Sequence, residues 1–200
     1  MKTGKKIQVL EKPNWVSWDD IHEVLIKAHA SNRANGINMR KPSLPGEEIA
    51  KEIGNDGKMF VALDDKQVVG AGAIIPKCIS SWYHSGIYGY MCFGSVMPEY
   101  SGNGIYCSLL AAREKYVSNN GIFVLRFDTH IKNTHIIDIN RRNGFKKVDI
   151  KVCNDHINIV MVKWLNGCPY TDLRCWYEFH KRQIIVKIKK RVVSIMKNNR

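Results

Sequence analysis

The sequence predicts an α/β fold, a mixed and mostly antiparallel sheet flanked by helices, continued by a basic amphipathic C-terminal helix. Three observations predict it. Strand-like and helical hydrophobic periods succeed one another from residue 5 to residue 164. A Gly-containing turn, Ser101-Gly102-Asn103-Gly104-Ile105-Tyr106, joins a long apolar run to a helical pattern. A second helix, led by Asn133, follows a strand and ends at Asn143-Gly144-Phe145.

The elements follow in order. Residues 5–10 read as a short strand. Ser17 and Asp20 have capping-box spacing, so a helix runs from there to about Ala30 with Ile21, Val24, Leu25 and Ala28 inward. Asn35-Gly36 breaks the pattern, Pro45 opens a second helix over 45–53, and Gly54-Asn55-Asp56-Gly57 ends it. Met59–Leu63 and Gln67–Ile75 read as a hairpin through Asp64-Asp65-Lys66. Pro76–Ser85 reads as a loop exposing Trp82, Tyr83 and His84. A long strand over 86–97, a helix over 104–119, and then strand, helix, strand, strand over 122–130, 133–142, 146–153 and 157–164 complete the chain to residue 164.

A turn between strand and helix presents backbone N–H groups and the positive end of the helix dipole. It suits a phosphate or pyrophosphate, and it equally suits a plain connection. The Asn133 segment adds to it. Pro98-Glu99-Tyr100 with the Gly102 and Gly104 turn, the strand end Asp128-Thr129-His130, and Asn133 spaced before Gly144-Phe145 together resemble the GCN5-related N-acetyltransferase (GNAT) family over residues 58–163. The resemblance implies a sheet splayed at a central V-shaped cleft, and acetyl-CoA as cosubstrate; the residues themselves give no reason to expect a metal. It implies pantetheine pairing by Ser95, Val96 and Met97, and pyrophosphate binding by Ser101, Gly102, Asn103, Gly104, Ile105 and Tyr106. It also implies that Asn133 holds the pantetheine arm, where plain N-capping is the other reading. Two departures stand out. Ser101 and Tyr106 occupy loop ends where the family favours Arg or Gln and Gly or Ala. Asn140 replaces the Tyr that commonly protonates the departing thiolate.

Acyl transfer needs a neutral amine, a donor for the developing oxyanion, and relief for the thiolate. Asp128 and His130 lie two apart on one strand and so share a face. An Asp beside a His can orient the ring and raise its pKa, while a polar strand end tied to backbone is the plainer reading. Glu99 and His84 are further candidate bases, Glu99 also reading as a helix-terminal charge. Asn140 can donate a hydrogen bond to the thiolate but cannot supply a proton.

Composition bounds the rest. Two hundred residues, 44% apolar and 10% aromatic, suit one globular domain with an appendage. The expected division is an acetyltransferase domain over 1–167 and a helical extension over 168–200. Nothing approaches the roughly 18–20 apolar residues of a membrane span, and the apolar run Ile7–Leu10 is short for a signal peptide, so a cytoplasmic protein is expected. The six cysteines contain no CxxC pair and no histidine cluster joins them, which favours free thiols over zinc.

The formal charge is +13, and residues 168–200 hold nine Lys/Arg against two Asp/Glu. In that segment Leu173, Tyr177, Ile184, Ile188, Val192 and Ile195 recur at helical steps among Lys181, Arg182, Lys187, Lys189, Lys190 and Arg191. Such a helix binds an anionic membrane surface, or packs on its own domain or on a second subunit. No specific nucleic-acid module is present, and charge alone gives non-specific binding. The expected activity is transfer of an acetyl group to a primary amine. The acceptor class is a small molecule, including an amino sugar on a nucleotide or lipid carrier, or a protein N-terminus. Arg33, Arg40 and Lys41 would suit a phosphate-bearing acceptor. A non-catalytic acyl-CoA-binding domain, and a site for another nucleotide, are the alternatives.

Overall fold

The computed structural model describes residues 7–37, 43–153 and 156–198, with side chains as far as Ile188. The chain forms two compact units, Met1–Leu125 and Arg126–Arg200.

In the first unit β1 (Gln8–Glu11), β2 (Lys58–Asp64), β3 (Gln67–Ser81) and β4 (His84–Val96) lie side by side in chain order, each antiparallel to the next. Helices α1 (Trp18–Ala28), α2 (Ala30–Ala34) and α3 (Gly46–Ile53) follow β1, and α4 (Ile105–Asn119) follows β4. The Ser17 hydroxyl accepts from Asp20 N–H while the Asp20 carboxylate accepts from Ser17 N–H, so the expected capping box forms. Ile21, Val24 and Leu25 are buried as expected, and Ala28 is half-buried.

Alternation along β3 and β4 sends side chains to two faces. On one, Ala71, Ala73, Ile75, Cys92, Phe93 and Met97 pack with α1 and α3 residues such as Ile21, Leu25 and Ile49. On the other, a Cβ at Gly70 would meet Ile105 and Leu109 of α4, and one at Gly72 would meet Arg113.

The expected loop over Pro76–Ser85 does not form. Strands β3 and β4 stay paired out to Ser81↔His84, leaving Trp82-Tyr83 as a two-residue turn. Tyr83 is buried, with Trp82 against it edge-to-face at 5.8 Å between ring centroids. His84 Nε2 lies 3.0 Å from Ile87 O, three residues on along β4. Pro76 is the reason the sequence predicts a loop there. It interrupts donor patterning in a strand, yet it is accommodated opposite Gly89.

The second unit holds β5 (Val124–His130), which starts at the end of the first unit, with α5 (Thr134–Arg142), β6 (Lys146–Val152), β7 (Ile157–Trp164) and α6 (Asp172–Asn198). The strand order within it is β5-β7-β6, and β6 and β7 are antiparallel. Helix α6 lies on β6 in this unit. Cys175, Phe179 and Val186 are buried there, Asp172 pairs with Lys146 at 2.7 Å, and Arg182 with Asp149 at 3.2 Å.

The face of α6 that packs on β6 is not the apolar row read from the sequence. The apolar row read from the sequence is turned outward, with Leu173, Tyr177, Ile184 and Ile188 each more than half exposed, as is Trp176. A shorter row, offset around the helix, contacts β6. Two apolar stripes on one helix defeat a single-face reading.

Candidate functional site

The site is built first by the end of β4. Opposite β3, Ala73 pairs with Cys92 but Ala71 pairs with Ser95, so β4 carries one extra residue. Phe93 absorbs the bulge with φ +55°, a conformation rare for a bulky residue. Cys92 and Phe93 therefore share one face, and the side chains beyond exchange faces. Gly94 now faces α4, where a Cβ would lie 3.6 Å from Tyr106 and 3.7 Å from Arg113. Ser95 faces α1, where its Oγ meets His29 Nε2 at 3.0 Å.

After β4 the chain is pinned before it turns. Met97 N–H donates to Val69 O, and a 3-10 turn over Pro98–Tyr100 directs the Tyr100 hydroxyl onto the buried Asp64 carboxylate at 2.6 Å. Gly102 and Gly104 then adopt φ +80° and +74°, which glycine takes without a Cβ penalty. The Asn103 side chain donates back to Tyr100 O, and residues 101–104 are exposed. Helix α4 begins with no side-chain cap and no acidic residue in its first turn. Its positive end and leading N–H groups thus face outward from a loop of small residues, an arrangement that fits an anion such as a pyrophosphate. Tyr106, one of the two departures, turns away from the loop mouth and is half-buried, its ring 5.9 Å from the Arg113 guanidinium.

Two largely buried polar residues beside the end of β4 were not apparent in the sequence. Arg113 is 1% exposed on α4, its Nε donating to Leu109 O and its Nη2 without a partner. Burial pushes its pKa below the ordinary arginine value, with Tyr106 partly opposing that. It fills the space left by Gly72 and Gly94, and Leu109, Arg113 and Val117 at steps of four are the signal that would have found it. His29 is the other. It ends α1, and burial together with Arg33 pushes its pKa down to about 4. Nothing in the periodicity distinguishes it from a helix-end surface residue.

The second unit carries the remaining candidates. The Asp128 carboxylate faces Arg126 at 3.1 Å and Lys151 at 3.9 Å rather than His130. Arg126 and Asp128, two apart on β5, take the pairing expected of Asp128 and His130. The His130 Nδ1 accepts from Lys132 N–H, and its ring stacks on His156 at 5.4 Å. Asn133 occupies the N-cap position of α5 without capping it by side chain, and its Nδ2 donates to Thr129 Oγ1 at 3.3 Å. Asn140 is 0% exposed, and its Nδ2 donates to Ile136 O. That amide serves its own helix, which removes it as an exposed donor for a thiolate.

Glu99 is exposed and acts on Lys27 of α1 electrostatically. Arg33 spends its Nη2 on Ile26 O at 2.6 Å. Arg40 and Lys41 lie outside the described residues. The described cysteines are free thiols, and among the described residues no His/Cys/Asp/Glu group is arranged to hold a metal. No described helix is long and apolar enough to cross a membrane.

No protein-family model and no curated protein matches the chain. Solved structures do. A GNAT-family acetyltransferase from Staphylococcus aureus Mu50 superposes with a TM-score of 0.63 at 17% identity, over 80% of this chain and 99% of that one. The chain has the GNAT acetyltransferase fold. An aminoglycoside 6'-acetyltransferase type Ii matches that fold with a TM-score of 0.60 at 18% identity, over 82% and 99% of the two chains. A GNAT-family acetyltransferase from Elizabethkingia anophelis, solved with acetyl-CoA bound, matches with 0.57 at 14% identity, over 80% and 98%. These likenesses agree with the family resemblance of the sequence motifs and with a mixed, mostly antiparallel sheet.

Proposed function

We propose that this chain is an acetyl-CoA-dependent N-acetyltransferase acting on a primary amine. The observation that carries the reading is the Gly102/Gly104 loop, exposed and leading into an α4 that neither a side chain nor a carboxylate caps. Such an N-terminus favours an anion, and the fold supplies the class of anion, the pyrophosphate of CoA. Ser95, Val96 and Met97 supply backbone groups to the pantetheine. Asn133 contributes a side-chain amide to it.

The acceptor is an amino sugar on a nucleotide or lipid carrier. This choice rests on the basic character of the chain and on α6. The outward row of Leu173, Trp176, Tyr177, Ile184 and Ile188 lies beside the exposed cations Lys181 and Lys187. Aromatic and aliphatic side chains flanked by lysine suit an anionic lipid surface, where the apolar row enters the acyl boundary and the cations meet headgroups. On this reading the enzyme works in the cytoplasm at the inner membrane face.

Isothermal titration tests the donor site. Acetyl-CoA and CoA should bind in the micromolar range while ATP and NAD do not. No binding of acetyl-CoA would remove the acetyltransferase reading. Binding without turnover on an amine panel rich in amino sugars would favour a non-catalytic acyl-CoA-binding domain. Co-sedimentation with phosphatidylglycerol vesicles tests α6. A Trp176→Ser/Ile184→Ser variant should stay in solution where the wild type sediments. Equal partitioning together with a dimeric mass that the variant abolishes would assign the row to a second copy instead.

A further inference from the structure

Two hydrogen bonds on the α1 face of β4 set the direction of a third. The Asn32 Nδ2 donates to His29 Nδ1 at 3.1 Å, which leaves Nδ1 as an acceptor. A neutral ring then carries its proton on Nε2, and Nε2 donates to Ser95 Oγ at 3.0 Å. One lone pair of the Ser95 oxygen is thereby taken, and among the described residues no other group takes its hydroxyl proton. Ser95 is 4% exposed, so this O–H is largely dry and stays available as a donor. The bulge at Phe93 is the cause of the placement. Without the extra residue, Ser95 would face α4 and Gly94 would face His29.

We infer that Ser95 is the side-chain oxyanion donor of the acyl-transfer reaction, with His29 and Asn32 as positioning residues that aim its proton at the acyl carbonyl oxygen. The inference rests on the acetyltransferase reading above. In the step it serves, the amine lone pair forms the N–C bond and the carbonyl π pair moves onto oxygen, where the Ser95 O–H meets it. The pair returns, the C–S bond breaks, and CoA leaves as thiolate with the bonding electrons. The surplus proton of the amine goes to water. Neither Ser95 nor His29 gains or loses a proton in the cycle, which suits a ring held neutral. The arrangement offers electrostatic stabilisation at a fixed point rather than base catalysis.

The full chain tests this in two ways. Imidazole nitrogen NMR at neutral pH, with His29 assigned by loss of its signals in His29→Gln, should show an unprotonated Nδ1 and a protonated Nε2. Asn32→Asp should invert the tautomer, because a carboxylate accepts from Nδ1–H and turns Nε2 into an acceptor for Ser95. An Nδ1–H ring or an imidazolium in the wild type would overturn the inference without touching the acetyltransferase reading. In the second test, acetyl-CoA hydrolysis and transfer to glucosamine are followed in Ser95→Ala and Asn32→Asp. Both variants should lose about 10²-fold in kcat, the cost of removing one oxyanion donor, with KM for acetyl-CoA unchanged. Wild-type kcat in Ser95→Ala would refute the inference while leaving the enzyme an acetyltransferase. Absence of acetyl-CoA binding by the wild type would remove the acetyltransferase reading, and this inference with it.

Discussion

Acidification should destabilise the fold through His29, by an amount that follows from its position. The ring is buried between Ser95 and Asn32, and Arg33 opposes a second positive charge, so its pKa falls from 6.5 to about 4. In the unfolded chain the ring takes a proton as pH drops through 6.5, while the folded chain refuses it until about 4. The stability contribution is therefore whole above pH 6.5 and is lost progressively from there down to about 4. Between pH 7.5 and 5.5 the linkage amounts to about 1.4 kcal/mol, roughly a tenfold rise in the unfolded fraction. Carboxylates titrate mostly below that window. Urea unfolding at the two pH values, in wild type and His29→Gln, isolates the term, since every other group cancels in the difference. The wild type should lose about 1.4 kcal/mol more than the variant. Equal losses would show that His29 is not held neutral by burial.

Further outcomes follow from single contacts. Arg113→Met should fold with unchanged or higher stability, because it removes a fully buried cation whose Nη2 has no hydrogen-bond partner; a large loss in thermal denaturation would contradict that account. Gly104→Ala places a Cβ at φ +74° with nothing nearby to clash, so its cost, about 1–2 kcal/mol, is conformational; weaker acetyl-CoA binding by titration should accompany it if the loop holds the pyrophosphate. Ser17→Ala removes the hydroxyl that accepts from Asp20 N–H and should cost about 1 kcal/mol in urea unfolding.

How legible this molecule was in its sequence depends on what kind of force sets each feature. Ser17 and Asp20 act within one turn, so the capping box and the start of α1 were readable. The Gly102/Gly104 turn was readable because left-handed backbone strongly favours glycine. The Pro76–Ser85 segment was misread because its partner strand, not its own composition, keeps it extended. On α6 the exposed row contains the larger and more numerous apolar groups, so periodicity pointed to the face that β6 does not cover.

The bulge at Phe93 is the deepest case, because one inserted residue decides where the next two face. It turns Gly94 toward α4, where a glycine and its neighbour across the strand pair, Gly72, leave room for the Arg113 guanidinium. It turns Ser95 toward α1, where His29 and Asn32 wait one helical turn apart. A register slip changes no residue type and leaves no local composition mark, so the surroundings of neither Arg113 nor His29 could be read from sequence. Yet each breaks a local rule once the register is known. A cation sits at a core step of α4, and a polar hydroxyl sits among the apolar residues of β4. Violations of patterning in an otherwise consistent fold cluster where function is built. These two lie on opposite sides of the same strand, so a single register shift sets the surroundings of both.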